Sequence, residues 1–335
     1  MQHPRMGRLL LATLGLLLLS SASLGLCQLG LQSYALAHPF GLSTAVTTRQ
    51  FGMGAPISCV WDRGSGNPAF AATQSEDSAS VRWSDTRFEQ DMSLTSYLAY
   101  VVAPIRANES GLQISYLQLR SSGLALSPYA IDVSEDDLSF HYGRRIGKQW
   151  TAGIGLSPWS VIKFNATLPD GTPAMRLTER PDIGARVGIA YEPAPGDYFG
   201  IVYDYMLEDV TGSGLAFMAL GGSVQQVFHT DLLAIGGSRH ITPEWLVAAE
   251  WQDATTHAGD IKGGLHGWHL GTEYRWPKGL ALRAGLNDGQ MTLGAGYQTG
   301  QWDVEYAFAN NLNNEAVGPI LGASDTHQLQ ALYHW

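Results

Sequence analysis

Gly264-Leu-His-Gly-Trp-His-Leu-Gly-Thr-Glu-Tyr-Arg-Trp276 alternates in character from one residue to the next. In an extended chain successive side chains point to opposite faces, so Trp268, Leu270, Thr272, Tyr274 and Trp276 share one face and Gly267, His269, Gly271, Glu273 and Arg275 the other. The first set is large and aromatic. The second is small or charged, and Glu273 and Arg275 have no place in a dry core. The same division recurs in Leu280, Leu282, Ala284 and Leu286 against Arg283 and Asn287, and in Trp302, Val304, Tyr306 and Phe308 against Asp303 and Glu305. Sheets with bulky apolar residues outside and charge and glycine inside are what a β-barrel in lipid requires.

The rest of the chain fits one large unit built this way. Of 335 residues only 15% are charged while 45% are apolar, against about 25% charged in an ordinary soluble domain. The apolar residues are interleaved with polar ones, so no run after the N-terminus is long enough for a transmembrane helix. A net charge of −10 argues against nucleic acid as a partner.

Arg5 and Arg8, the apolar run Leu9 to Leu19 and the small residues that follow have the form of a secretory signal. Cleavage fits best after Ala37, within Ala35-Leu36-Ala37, with Ser21-Ala22-Ser23 as a second candidate. Cys27 follows the bulky Leu26, which disfavours lipidation, and cleavage after Ala37 leaves Cys59 alone with no disulfide framework. The expected organisation is therefore a signal peptide over 1–37, an N-terminal periplasmic or plug segment over 38–80 and an outer-membrane barrel over 81–335.

Alternation and turn signals predict an all-β, antiparallel up-and-down barrel of about fourteen strands. If the last strand ends in the periplasm, the connections on its side are short, as at Thr299-Gly300, Pro277-Lys278 and Ile146 to Lys148. Those on the other side read as long, at Ser121 to Glu135, Ala166 to Ile183, Leu207 to Val227, Ala254 to Gly264 and Asn310 to Asp325, with Asp288-Gly289 and the first hairpin as exceptions. Within one of them Leu215 to Leu220 is strongly apolar and could cap the mouth, gather a hydrophobic ligand or continue a strand. The final segment puts Leu329, Ala331, Tyr333 and Trp335 on one face and ends on an aromatic residue, the form of a signal to the barrel-assembly machinery.

Gly271 to Arg275, Leu282 to Asn287, Leu293 to Tyr297 and Asp303 to Phe308 resemble closing strands of the PorV-like branch of the FadL superfamily. Upstream, Phe51-Gly52-Met53-Gly54-Ala55 and Asn67-Pro68-Ala69 resemble that superfamily's N-terminal segment. The resemblance implies a fourteen-stranded barrel with an N-terminal plug in its lumen. It makes Met53, Gly54, Asn67, Pro68 and Ala69 the plug or gate. FadL proper carries long-chain fatty acids and other hydrophobic molecules, whereas PorV-like members are partners in protein export to the cell surface.

The inward positions hold Arg186, Glu250, Glu273, Arg275, Arg283, Asp303 and Glu305, with both signs of charge, which does not suit a strongly selective ion pore. They either pair across neighbouring strands or line a polar passage, and the register of Glu273 with Arg283 discriminates. His266 and His269 lie on opposite faces, and the chain has no G-x-S-x-G, H-E-x-x-H or phosphate-cradling glycine motif. No catalytic residue, cofactor or metal is expected. Glycine, at 39 residues, is expected on the inward face, allowing curvature or close approach of the plug. Outward Trp245, Trp251, Trp276, Trp302 and Trp335 read as a membrane girdle.

The expectation is a monomeric outer-membrane barrel of a Gram-negative cell, embedded in outer-membrane lipid and delivered by the assembly machinery. Its partner is either a small hydrophobic molecule taken up passively or an exported protein held by the outer loops. A lipid-modifying barrel enzyme is a third alternative.

Overall fold

The computed structural model describes residues 47–64, 66–89, 92–123, 125–126, 129–215, 222–258, 261–311 and 323–335. The expected signal peptide, the first part of the expected plug and the apolar residues 216–220 lie outside them.

One antiparallel sheet contains β1 (Ser78–Phe88), β2 (Ser93–Arg106), β3 (Ser110–Ser122), β4 (Ala125–Leu126), β5 (Tyr129–Arg145), β6 (Trp150–Thr167), β7 (Pro173–Tyr191) and β8 (Tyr198–Ser213). It continues through β9 (Ser223–Thr242), β10 (Trp245–Ala258), β11 (Ile261–Arg275), β12 (Leu280–Asn287), β13 (Gln290–Thr299), β14 (Trp302–Asn310) and β15 (Ser324–His334). The two-residue β4 only extends the hairpin of β5, and the other fourteen form the wall. β1 pairs with β15 and β3 with β5, so the sheet closes on itself. No edge is left to face hydrocarbon with unpaired backbone groups.

The alternation read from the sequence sets the two faces. Trp268 is 61% exposed and Leu282 48%, whereas Glu250 and Glu273 on the inner face are almost fully buried. Trp245, Trp276, Trp302 and Trp335 lie outward near the rim that carries the C-terminus. Trp302 and Trp335 both pack on Tyr333, at ring separations of 4.9 and 5.7 Å.

The connections on the far rim depart from the expectation. Most of the stretches read there as long loops are strand: β7 begins at Pro173, β8 runs to Ser213, β9 starts at Ser223, and only residues 259–260 separate β10 from β11. β5, β7 and β9 reach 17, 19 and 20 residues, while β12 and β14 have 8 and 9. About 9–11 residues cross a bilayer, so the wall is tall on the β5–β11 side and low on the other. Outward positions such as Thr211, Gln225 and His257 lie on these extensions. On these extensions the outward face turns polar while Phe164, Leu177, Val210 and Phe228 are buried on the inner face, so the alternation of apolar outside with polar inside fades while the backbone ladder continues.

The barrel also begins slightly earlier than expected, at Ser78. The described residues from Thr47 to Gln74 lie inside it, most of them buried. Phe51, Ala55 and Ile57 pack on Val202, Leu232, Ala234, Ala307 and Ala309 of the wall, and Phe70 packs edge-on to Tyr198 at 5.0 Å. This internal segment supplies the apolar core that an empty barrel would lack.

Leu282 faces outward midway along β12, so Leu282→Arg is expected to lower unfolding stability in lipid vesicles by about 2–4 kcal/mol. Folded yield unchanged and no shift in a urea titration would mean that this face is not in hydrocarbon.

Candidate functional site: the plugged lumen

The plug folds by local capping. Thr47 and Gln50 form a reciprocal cap on the short helix α1 (Thr48–Gly52). Asn67 caps a 3-10 turn over Pro68–Thr73, its Oδ1 accepting from Ala69 N at 3.0 Å, and Pro68 at the first position has no N–H to lose. Asn67 Nδ2 also donates to Ser58 O at 2.8 Å, tying the two limbs of the plug together. Asn67, Pro68 and Ala69, expected at the gate, are thus its architectural corner.

The wall admits this segment because its inward glycines face plug backbone. A Cβ on Gly153 or Gly143 would collide with Pro68, on Gly188 with Asn67, on Gly200 with Ser58 and on Gly271 with Met53. Gly54, the other expected plug glycine, has a φ of +85°, and a Cβ there would strike the carbonyls of Leu270 and Leu286. His269 Nδ1 lies 2.8 Å from Gly54 O.

Charged wall residues hold the plug as well as one another. Glu273 pairs with Arg283 in the β11–β12 register, and Arg283 Nε donates to Glu273 Oε2 at 2.6 Å. The other side of Glu273 is taken by Arg49 of the plug, with Nη2–Oε1 of 2.8 Å and Nε–Oε2 of 2.9 Å. Arg283 continues to Glu305, completing a buried chain of Arg49, Glu273, Arg283 and Glu305. Burial opposes the charge on Arg49, but Glu273 and Asp62 more than offset this and hold the guanidinium ionised. Glu250 receives Ile57 N at 2.9 Å and both Ser58 N and Ser58 Oγ at 2.5 Å, while Gln252 donates to Glu250 at 2.6 Å. Arg186 makes a fork with Asp204 at 2.5 Å and donates to Gly66 O at 3.0 Å. Asp303 meets Arg63 of the plug at 3.4 Å, and Arg275 stands at the rim, reaching Glu273 at 3.3 Å.

All seven expected inward residues therefore lie on the inner face, and the structure joins six of them to the plug directly or through one ion pair. The plug's own Arg49, Ser58 and Arg63 were not anticipated. Their only trace in the sequence is that Arg49 and Arg63 are the two cations of residues 47–77. Leu329 and Trp335 of the terminal strand face outward. Among the described residues no group of three His, Cys, Asp or Glu side chains is placed to hold a metal.

Above the plug the lumen keeps a cavity of about 130 Å³ whose lining includes Gly64 of the plug, Leu98, Leu117, Ile162, Leu232 and Met206. Ser157, Ser160, Gly184 and Ala185 also line it, and they lie where the wall is interrupted. The β6–β7 ladder pairs Leu156 with Ala185 and next pairs Ile162 with Glu179, leaving residues 157–161 and 180–184 without partners in each other. β6 slips register against β5 between Leu138 and Phe140, and β7 slips against β8 between Pro181 and Ile183. Pro158 and Pro181 fall in the two unpaired stretches, where a residue without N–H leaves no donor unsatisfied.

The sequence matches no protein-family model and no curated protein. Solved structures do match its fold. A Pseudomonas aeruginosa FadL homologue, 12% identical, aligns with a TM-score of 0.59 over 86% of this chain and 98% of its own. The fold is that of FadL-type transporters. The toluene transporter TbuX of Ralstonia pickettii (13% identity, TM-score 0.53) is matched over 85% of this chain and 96% of its own. The monoaromatic hydrocarbon channel CymD (13%, 0.53) is matched over 80% and 91%. By their names these neighbours are transporters and channels, not enzymes.

Burial, with the Glu250 carboxylate beside it, pushes the Cys59 thiol well above its ordinary pKa, so it reacts only when the plug moves. Glu273→Ala, which strands Arg49 and Arg283, and Gly200→Val, which collides with Ser58, are each expected to raise the rate of Cys59 alkylation at neutral pH at least about tenfold. Alkylation as slow as in the parent protein would show that the plug is held by other contacts.

Proposed function

We infer that this protein is a passive entry route in the outer membrane for small hydrophobic molecules, with residues 47–77 as its gate. The observation that carries this reading is the cavity that ends at the β6–β7 interruption. A continuous hydrogen-bonded wall would separate lumen from lipid. Here a partly apolar chamber borders the one stretch, among the described residues, where two neighbouring wall strands lose their ladder along their paired length, and the plug forms its floor. A hydrophobic molecule gathered at the outer rim can leave sideways into the bilayer without crossing the plug, or continue inward when the plug shifts. The likeness of fold to proteins named for toluene and monoaromatic hydrocarbons points the same way.

A PorV-like platform for exported proteins has less to rest on. Such a role calls for long ordered outer loops, whereas described connections such as residues 168–172 and 288–289 are tight. Among the described residues no group of side chains in the lumen has the arrangement of a nucleophile with its base, and no reaction is assigned.

The interruption can be stapled. A Cβ on Gly184 would stand 3.2 Å from Ser157 Cβ, close to the span a disulfide bridges. In a Cys59→Ala background, Ser157→Cys with Gly184→Cys is expected to lower uptake of radiolabelled toluene severalfold under oxidising conditions, leaving only the inward route, and to restore it on reduction. Deleting Asn67–Ala71 is expected to alter uptake in both states. Full uptake with the bridge formed would exclude the sideways route. No uptake by the folded, inserted parent protein would exclude the function.

A further inference from the structure

The cavity also carries charge, and its sign is not that of a site for fatty-acid carboxylates. Glu135 projects inward from β5 into the lining, is only 7% exposed, and its Oε2 has no hydrogen-bond partner among the described residues. Asp137 and Asp204 share the lining. Glu179 and Glu208, both buried on the same inner face, are close enough for their charges to act on Glu135. Among the described lining residues the one Arg or Lys is Arg186, and it is already engaged by the fork to Asp204 and by Gly66 O. An incoming carboxylate would meet carboxylates, with no arginine or lysine of the described lining left to engage and one imidazole, His141, against at least three acids.

A buried carboxylate oxygen without a partner is costly, and the cost is relieved by a proton or by a cation that donates to it. The remaining lining has an apolar part for the body of a ligand, Leu98, Leu117, Ile162, Leu232 and Met206, beside Gln113, His141, Thr230 and serine hydroxyls. The volume of about 130 Å³ is close to the apolar cavity of about 150 Å³ that accommodates one benzene molecule. We propose that this cavity binds small aromatic or alkyl amines in their ammonium form, the apolar body against the leucines and the ammonium donating to Glu135. This rests on the hydrophobic-uptake reading and narrows it to a charge class: cations first, neutral hydrocarbons next, anions excluded.

Three ligands of nearly one shape separate these classes: benzylammonium, toluene and benzoate. Their binding would be measured by equilibrium dialysis against the full mature chain in zwitterionic micelles, with empty micelles subtracted. Benzylammonium is expected to bind at least about tenfold more tightly than benzoate, since a charge-assisted hydrogen bond replaces a repulsion. Glu135→Gln should bring benzylammonium to within about twofold of toluene while leaving toluene binding unchanged. Glu208→Gln, which leaves Glu135 in place, should preserve the order of the three ligands. Toluene binding with no preference for benzylammonium over benzoate in the parent protein would overturn the proposal and leave the uptake reading standing. A preference that survives Glu135→Gln intact would also overturn it. Absence of binding by all three, toluene included, would overturn both.

Discussion

A sheet closed in hydrocarbon has no backbone hydrogen bond to spare, since every N–H or C=O facing lipid without a partner costs several kcal/mol. The wall can therefore be interrupted only where the loss is limited. Between β6 and β7 it is limited by Pro158 and Pro181, which bring no N–H, and it coincides with register slips of β6 against β5 and of β7 against β8. The same constraint explains why the interruption is confined to residues 157–161 and 180–184, with normal pairing resuming on both sides. The location of the cavity mouth follows from this local exception to a rule that governs the other thirteen strand pairs.

The lumen is governed by the opposite problem, that of filling a space lined by charge. Carboxylates and guanidinium groups on the inner face would be poorly solvated in a narrow bore, and the plug answers them with its own Arg49 and Arg63 and with the backbone N–H groups of Ile57 and Ser58. Replacing such buried pairs by well-packed apolar residues would often be no less stable.

The two halves of the lumen thus differ in chemistry. Towards the C-terminal rim the charges balance and the plug is packed against inward glycines. Towards the other rim, on the tall side of the wall, acid outweighs base around an unfilled chamber. Arg186 joins the two, since one guanidinium both lines the chamber and holds Gly66 of the plug. The plug thus meets the chamber directly at Gly64 and through Arg186 at Gly66.

Alternation from Gly264 to Trp276 determined the fold class, the two faces of the wall and the inward set from Arg186 to Glu305, because period-two patterning is a local property that lipid on one side makes unusually strict. It also marked the inward glycines, whereas the register of Glu273 with Arg283 was left for the structure to decide. The heights of the strands were not legible: beyond the bilayer polar residues suit strand and loop alike, so residues 173–183 and 207–213 read as connections. Nor were the plug contacts of Arg49 and Ser58, the burial of Glu135 at the cavity, or the break at Pro158 and Pro181. Each depends on which distant residue faces it across the bore or along the next strand, and only closure of the barrel around the plug sets those neighbours.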